Sequence, residues 1–210
     1  MTSSSPQERG TIRRPHPLAS DLIERLRGRP GSRVLDFCAG SGRNGAALRE
    51  AGYAVVALED SVAERGGALP AELGEFAAVI STHGLLHGTV GAIAQRMESI
   101  AEHLEPNGPF YATFGSARDA RFGRGRRIDA STYAPLDGDE RGVAHAYFTR
   151  AALEGLLHRH FVVERLEERY VDAIAGSWAH PTTPLSQAVH WFVVARRLPM
   201  RSSIGLDALA

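Results

Sequence analysis

Hydrophobic positions along the chain fall into short runs and helical stripes that alternate. Leu18, Leu22, Ile23 and Leu26 recur at helical spacing, and Arg29-Pro30-Gly31 ends that stretch. Arg33 to Phe37 is a short apolar run closed by a glycine-rich turn, Cys38 to Gly42. A helical pattern over Asn44 to Ala51 is stopped by Gly52, and Tyr53 to Leu58 reads as a second buried strand ending in Glu59-Asp60-Ser61. Strand, glycine turn, helix and strand make a βαβ unit, which implies a parallel sheet. Ala77 to Ser81 is the next strand. Thr89 is placed to cap a helix with the stripe Val90, Ile93, Met97, Ile100 and Leu104, which Pro106-Asn107-Gly108 breaks. Pro109 to Phe114 follows as a strand, and Thr149 caps a helix carrying Leu153, Leu156 and Leu157. Phe161 to Leu166 and Val189 to Arg196 are the last strands. No clear helical crossover separates them, so an antiparallel pair at the sheet edge is expected. The pattern predicts an α/β fold: a doubly wound, mostly parallel sheet of six strands with an antiparallel C-terminal edge.

This organisation divides the chain into a flexible segment at 1–14, one domain at 15–198 and a tail at 199–210. Within the domain, 115–147 is long, Gly- and Arg-rich and weakly periodic, as lids and substrate loops are. The 210 residues, 43% hydrophobic and 23% charged, suit a single globular domain. Twenty-four basic residues balance 24 acidic ones, which argues against a nucleic-acid partner or an anionic membrane surface. Every one of the basic residues is arginine. Without lysine there is no Schiff-base nucleophile, no pyridoxal-phosphate anchor and no phosphate-loop NTPase site. The single cysteine, Cys38, excludes intrachain disulfides and Cys-rich zinc sites. No apolar run approaches the roughly 20 residues of a membrane span. The polar N-terminus carries no signal-peptide core, so a cytoplasmic location is expected.

Ligands of open α/β sheets bind at the carboxyl ends of the strands. Three loops should converge there: Asp36 to Asn44, Glu59 to Ser61 and Ser81 to His87. Gly40 and Gly42 let the backbone approach a ligand, and the amides of the following helix favour a negative group. Glu59 lies 23 residues after Asp36, suiting a carboxylate that accepts ribose hydroxyls. Together these features point to a nucleoside-containing ligand. Gly40 to Gly45 also matches the dinucleotide pattern G-x-G-x-x-G, but Asp36 would repel a pyrophosphate and welcome an ammonium or sulfonium group. A nicotinamide dehydrogenase is therefore disfavoured.

The stretches Val34-Leu35-Asp36-Phe37-Cys38-Ala39-Gly40-Ser41-Gly42 and Gly52 to Ser61 resemble the class I, seven-stranded Rossmann-like S-adenosylmethionine-dependent methyltransferases. Phe76 to Ser81, Leu104 to Gly108 and the closing strand extend the resemblance over Leu18 to Arg197. Arg43-Asn44 is weakly similar to the tellurite-resistance-like branch, which acts on small molecules. The resemblance implies S-adenosylmethionine as cofactor, with Asp36 and the turn Cys38, Ala39, Gly40, Ser41 and Gly42 facing its methionine part. It implies Glu59 on the ribose, with Asn44, Asp60 and Ser81 completing the binding set. Three departures stand out. Cys38 occupies a usual glycine position, and Ala77 a usual aspartate. Only 16 residues, Asp60 to Glu75, join the second strand to the next, room for one crossover where the family has two. The third strand is thus expected to be deleted, leaving the second as an edge to be covered, charged or paired with a second copy in a homodimer.

Among the histidines, His83, His87 and His145 are the candidates for a general base or acceptor contact. His83 and His87 are four apart, yet no third ligand stands at metal spacing, so no metal is expected. His103, His158 and His160 lie in helical patterns and read as surface residues. Arg118, Arg121, Arg124, Arg126 and Arg127 precede Asp129, Asp137, Asp139 and Glu140, a charge balance that reads as a self-paired lid rather than an RNA stripe. The resulting expectation is methyl transfer to a small-molecule substrate. Its rival is a non-catalytic relic of the fold serving as a binding or oligomerisation module.

Overall fold

The computed structural model describes residues 14–58, 68–138, 140–171, 174 and 187–199, and Glu59, Asp60 and Asp139 lie outside that set. β1 (Arg33–Phe37) pairs in parallel with β2 (Ala54–Leu58) on one side and with β3 (Ala78–Ser81) on the other. β3 pairs in parallel with β4 (Pro109–Ser116), and β9 (Val189–Arg197) runs antiparallel along the far side of β4. β8 (Phe161–Tyr170) closes that edge, again antiparallel. The six strands read from the hydrophobic pattern are therefore present in the order β2-β1-β3-β4-β9-β8. The count of six is nevertheless too low, because the sheet has nine strands among the described residues. β5 (Arg126–Arg127), β6 (Thr132–Ala134) and β7 (His145–Phe148) come from the loop at 115–147. Strands of two to four residues are too short to display an alternating pattern.

Alternation along the strands sends side chains into two cores. Leu35, Phe37, Val79, Phe110 and Phe114 pack on one face against α3 (Val90–His103) and α4 (Arg150–Leu157). Val34, Ala78, Ile80, Tyr111 and Phe192 pack on the other against α1 (Pro17–Arg25), with Leu48 of α2 (Arg43–Glu50) in the same cluster. Thr89 and Thr149 cap α3 and α4 by accepting the amide protons of Ala92 and Ala152. Among the described residues β2 pairs with β1 alone, and its side chains are exposed or half-buried.

The short strands set the shape of the carboxyl end. β4 outruns β3: Ser81 pairs with Ala112, and beyond that point β7 takes over the same side at Gly115 and Ser116. β6 and β5 then fan out antiparallel from β7. This three-stranded arm stands past the end of β3, where the site is expected.

Candidate active site

After Phe37 the chain leaves β1 through two left-handed glycines, Gly40 (φ 53°) and Gly42 (φ 71°), and Gly42 is the residue before α2. No heavy atom lies within 4 Å of where a side chain would stand at either, so the turn faces open space. The Ala39 amide donates to the Leu58 carbonyl at 2.9 Å, which ties the turn to the end of β2. Asp36 is buried at the end of β1. Asn44 braces the turn from behind: its Oδ1 accepts from the His16 amide at 2.9 Å and its Nδ2 donates to Thr82 Oγ1 at 2.8 Å.

Two residues that are not glycine hold left-handed backbone here, Cys38 (φ 57°) and His83 (φ 73°). Each conformation costs about 1–3 kcal/mol and persists only where the surroundings impose it. They stand just beyond the ends of adjacent strands, β1 and β3. The 3₁₀ turn Gly84–Leu86 that follows His83 presses on the glycine turn. A side chain at Gly84 would meet Cys38 Cβ at 2.3 Å and Ser81 Oγ at 2.9 Å. Gly84→Ala is therefore expected to cost about 1–3 kcal/mol by overpacking, lowering the melting temperature by several degrees in a thermal scan. An unchanged melting temperature would show that the two loops are not pressed together.

Three histidines share the space above β3 and β9. The His83 ring stands 5.9 Å from that of His16 and 5.4 Å from that of His190, edge-on to both. Burial, chiefly, pushes His16 down to about 2, helped by His83 and Arg43. Burial likewise holds His190 well below the usual range, with His83, Arg121 and His16 adding to it. Both rings are therefore neutral, and their neighbours fix the tautomers. The Leu18 amide donates to His16 Nδ1 at 3.1 Å, leaving the proton on Nε2. Arg121 Nη2 donates to His190 Nε2 at 3.3 Å, leaving the proton on Nδ1.

Arg121 begins a second network. Its Nε donates to Asp119 Oδ1 at 2.8 Å and its Nη2 to Asp119 Oδ2 at 3.0 Å. Asp119 in turn accepts the Val189 amide at 2.8 Å, locking the arm to β9. Glu140 receives Arg121 Nη1 at 3.7 Å, His87 Nε2 at 3.5 Å and His145 Nε2 at 3.1 Å. Burial would raise the Glu140 carboxyl, but the contacts with His145 and His87 outweigh it and hold the group well below the usual carboxylate range. Tyr147 is pushed up to about 12, mainly by burial, and stays a neutral phenol.

The sequence reading paired His83 with His87. In the structure His87 instead bridges to His145, while His83 turns to His16 and His190. His16, His190, Asp119, Arg121 and Glu140 were not candidates. A signal for His190 was present, a polar residue inside the apolar run Val189 to Ala195. Of the arginine cluster, Arg121 pairs within the loop, whereas Arg118 reaches Glu168 on β8 at 2.9 Å.

The methyltransferase-domain family model matches residues 12–160, and the chain belongs to that family. The model's description names no branch of it. Comparison with curated proteins gives no match. Among solved structures, the chain is similar to a Burkholderia thailandensis 1,6-didemethyltoxoflavin-N1-methyltransferase holding 1,6-didemethyltoxoflavin and S-adenosylhomocysteine. The identity is 22%, the TM-score 0.59, and the match covers 91% of this chain and 80% of that one. An S-adenosylmethionine-dependent methyltransferase from Mesorhizobium loti is 18% identical with a TM-score of 0.57, covering 86% and 98%. One from Methanosarcina mazei is 13% identical with a TM-score of 0.60, covering 85% and 97%. The fold is that of the class I methyltransferases. No helix among the described residues is long and apolar enough to cross a membrane.

Proposed function

We propose that the protein transfers the methyl group of S-adenosylmethionine to a small-molecule acceptor lying between the glycine turn and the β5–β7 arm. The observation that carries this reading is the turn itself, left-handed at Gly40 and Gly42 and facing open space at the end of the first parallel strand. When bound, the cofactor supplies a methyl group on a sulfonium that is its own leaving group. The chain must then hold and align the reactants, exclude water and take up a proton. The buried Asp36 places negative charge beneath the turn, complementary to a cationic ligand. Cys38, Ala39 and Ser41 supply backbone around it, and Ser81 and Asn44 form buried support. Leu58, the last residue of β2, pairs with Phe37; Glu59, next in sequence, is assigned the ribose hydroxyls, and Asp60 is assigned to the same binding set. His83 is the base, and His87 and His145 face the acceptor side.

Two features support a small acceptor. The Burkholderia neighbour holds one beside S-adenosylhomocysteine. In this chain Phe122, Tyr133 and Tyr147 cluster on the arm with ring centroids 5.4–6.4 Å apart, a surface suited to a flat apolar body. Isothermal titration with S-adenosylmethionine and S-adenosylhomocysteine tests the reading, with one equivalent of each expected to bind. Glu59→Ala should weaken binding by about ten- to a hundredfold, the loss of a charge-assisted hydrogen-bond pair. A folded protein giving no heat with either ligand would instead identify a relic of the fold, and unchanged affinity in Glu59→Ala would reject the ribose role.

A further inference from the structure

We propose that His87, Glu140 and His145 form a binding site for a divalent transition-metal ion of the zinc class. Their ligand atoms all lie within 4.8 Å of one another. Zinc bonds of about 2.05 Å in tetrahedral array place ligand atoms about 3.3 Å apart. Glu140 spans the gap at close to that spacing, with Oε1 at 3.5 Å from His87 Nε2 and Oε2 at 3.1 Å from His145 Nε2. Two imidazoles and a carboxylate are the donor set that zinc-like ions accept while keeping a coordination position open.

The tautomer of His145 strengthens the case. Its Nδ1 lies 2.9 Å from the Val143 carbonyl, which can only accept, so Nδ1 carries a proton. In the neutral ring Nε2 then presents a lone pair, and it does so towards a carboxylate oxygen that is also an acceptor. Something positive belongs between them, either a second proton or a metal ion. A ring nitrogen oriented by a backbone carbonyl on its other side is the usual outer-shell arrangement of metal-bound histidine. His87 is fixed as well: Arg96 Nη1 on α3 donates to its carbonyl, and the Gly88 amide donates to Ala144 at 2.7 Å. Asp119 and Glu140 offset the charges of Arg121 and of Arg96, whose guanidinium is spent on the His87 carbonyl on the side away from the ligand atoms of the histidine ring. No motif shows this in the sequence, since Glu140 and His145 lie 53 and 58 residues beyond His87.

The test needs neither cofactor nor acceptor, so its failure is distinct from failure of the methyl-transfer reading. Untagged protein, dialysed against chelator and then against buffer, is titrated with zinc chloride by calorimetry and with cobalt chloride by visible absorption. One equivalent of zinc and the absorption of low-coordinate cobalt are expected. His87→Ala and Glu140→Gln should each weaken zinc binding at least tenfold, while His103→Ala leaves it unchanged. The side chains of His87 and Glu140 are both partly exposed, and circular dichroism confirms that each variant is folded. Absence of saturable zinc binding to the wild type, or equal affinity in both variants, overturns the proposal and leaves a proton in the gap.

Discussion

Stability is expected to fall steeply as the pH drops below about 6.5, the ordinary histidine value. His16 titrates near 2 in the folded protein, because burial opposes its charge. The unfolded chain therefore binds a proton that the folded chain refuses. Stability from such a depressed histidine is fully present above the unfolded value and is lost as the pH falls towards the folded one. The slope is about 1.4 kcal/mol per pH unit for each such group, so His16 alone removes about 2 kcal/mol between neutrality and pH 5. His190, buried beside it and depressed in the same direction, adds to the loss. Below about 4.5 Glu140 joins with the same sign, since its lowered carboxyl must also be protonated before the fold is free of the penalty. Domains of ordinary stability hold about 5–15 kcal/mol, so these groups consume a large part of it. Urea unfolding between pH 8 and 5 measures the effect. His16→Asn keeps a side chain able to cap α1 and removes the titration, so its acid limb should be flatter by one proton. A wild-type unfolding free energy that stays level from pH 7 to 5 would show that these rings are not held neutral.

The histidine cluster also shows where sequence reading reaches its limit. The unit from β1 to β2 is legible because its determinants are local: an apolar run, a glycine turn and an amphipathic stretch closed by Gly52. β1 has the bounds read from the pattern, and α3 begins after the expected cap, Thr89. β8 runs on to Tyr170, past Leu166, because Glu167 to Arg169 pair with β9 while their side chains remain partly exposed. β5 to β7 were invisible because pairing across the arm, and not any periodicity in Arg126 to Phe148, makes them strands. The candidate site divides in the same way. Asp36, Gly40, Gly42 and His83 are marked by their places at strand ends. Asp119 and Arg121 pair with each other, and Glu140 with His145, but what ties them to the site are partners distant in sequence, Val189, His190 and His87, and no spacing rule connects them. His16 lies at the margin of a segment with no pattern, and its contacts with Asn44, His83 and Phe192 draw it into the site.

Replacing His83 by alanine is expected to slow methyl transfer by about 10²–10⁴, the usual contribution of a positioned base. The argument is positional. His83 lies two residues past the end of β3, its backbone is held left-handed, and its amide donates to Thr113 Oγ1 on β4 at 2.8 Å. That geometry turns the ring towards β9 and the N-terminal segment, into a pocket whose other two rings are neutral. His16 and His190 each have one nitrogen occupied by a fixed donor and are held neutral by burial; His83 also has its ring nitrogens enclosed, but as a residue it is only half-buried, which makes it the candidate of the three. His87 and His145 are engaged with Glu140 and are less free to act as bases. The measurement is single-turnover transfer of labelled methyl from S-adenosylmethionine to an acceptor that the wild type methylates, with cofactor affinity followed in parallel. Intact affinity with a large loss of rate is the expected pattern, equivalent to about 3–5 kcal/mol of barrier. A fall of less than twofold in the variant would remove His83 from the chemistry and leave alignment by the glycine turn and the arm as the source of the rate.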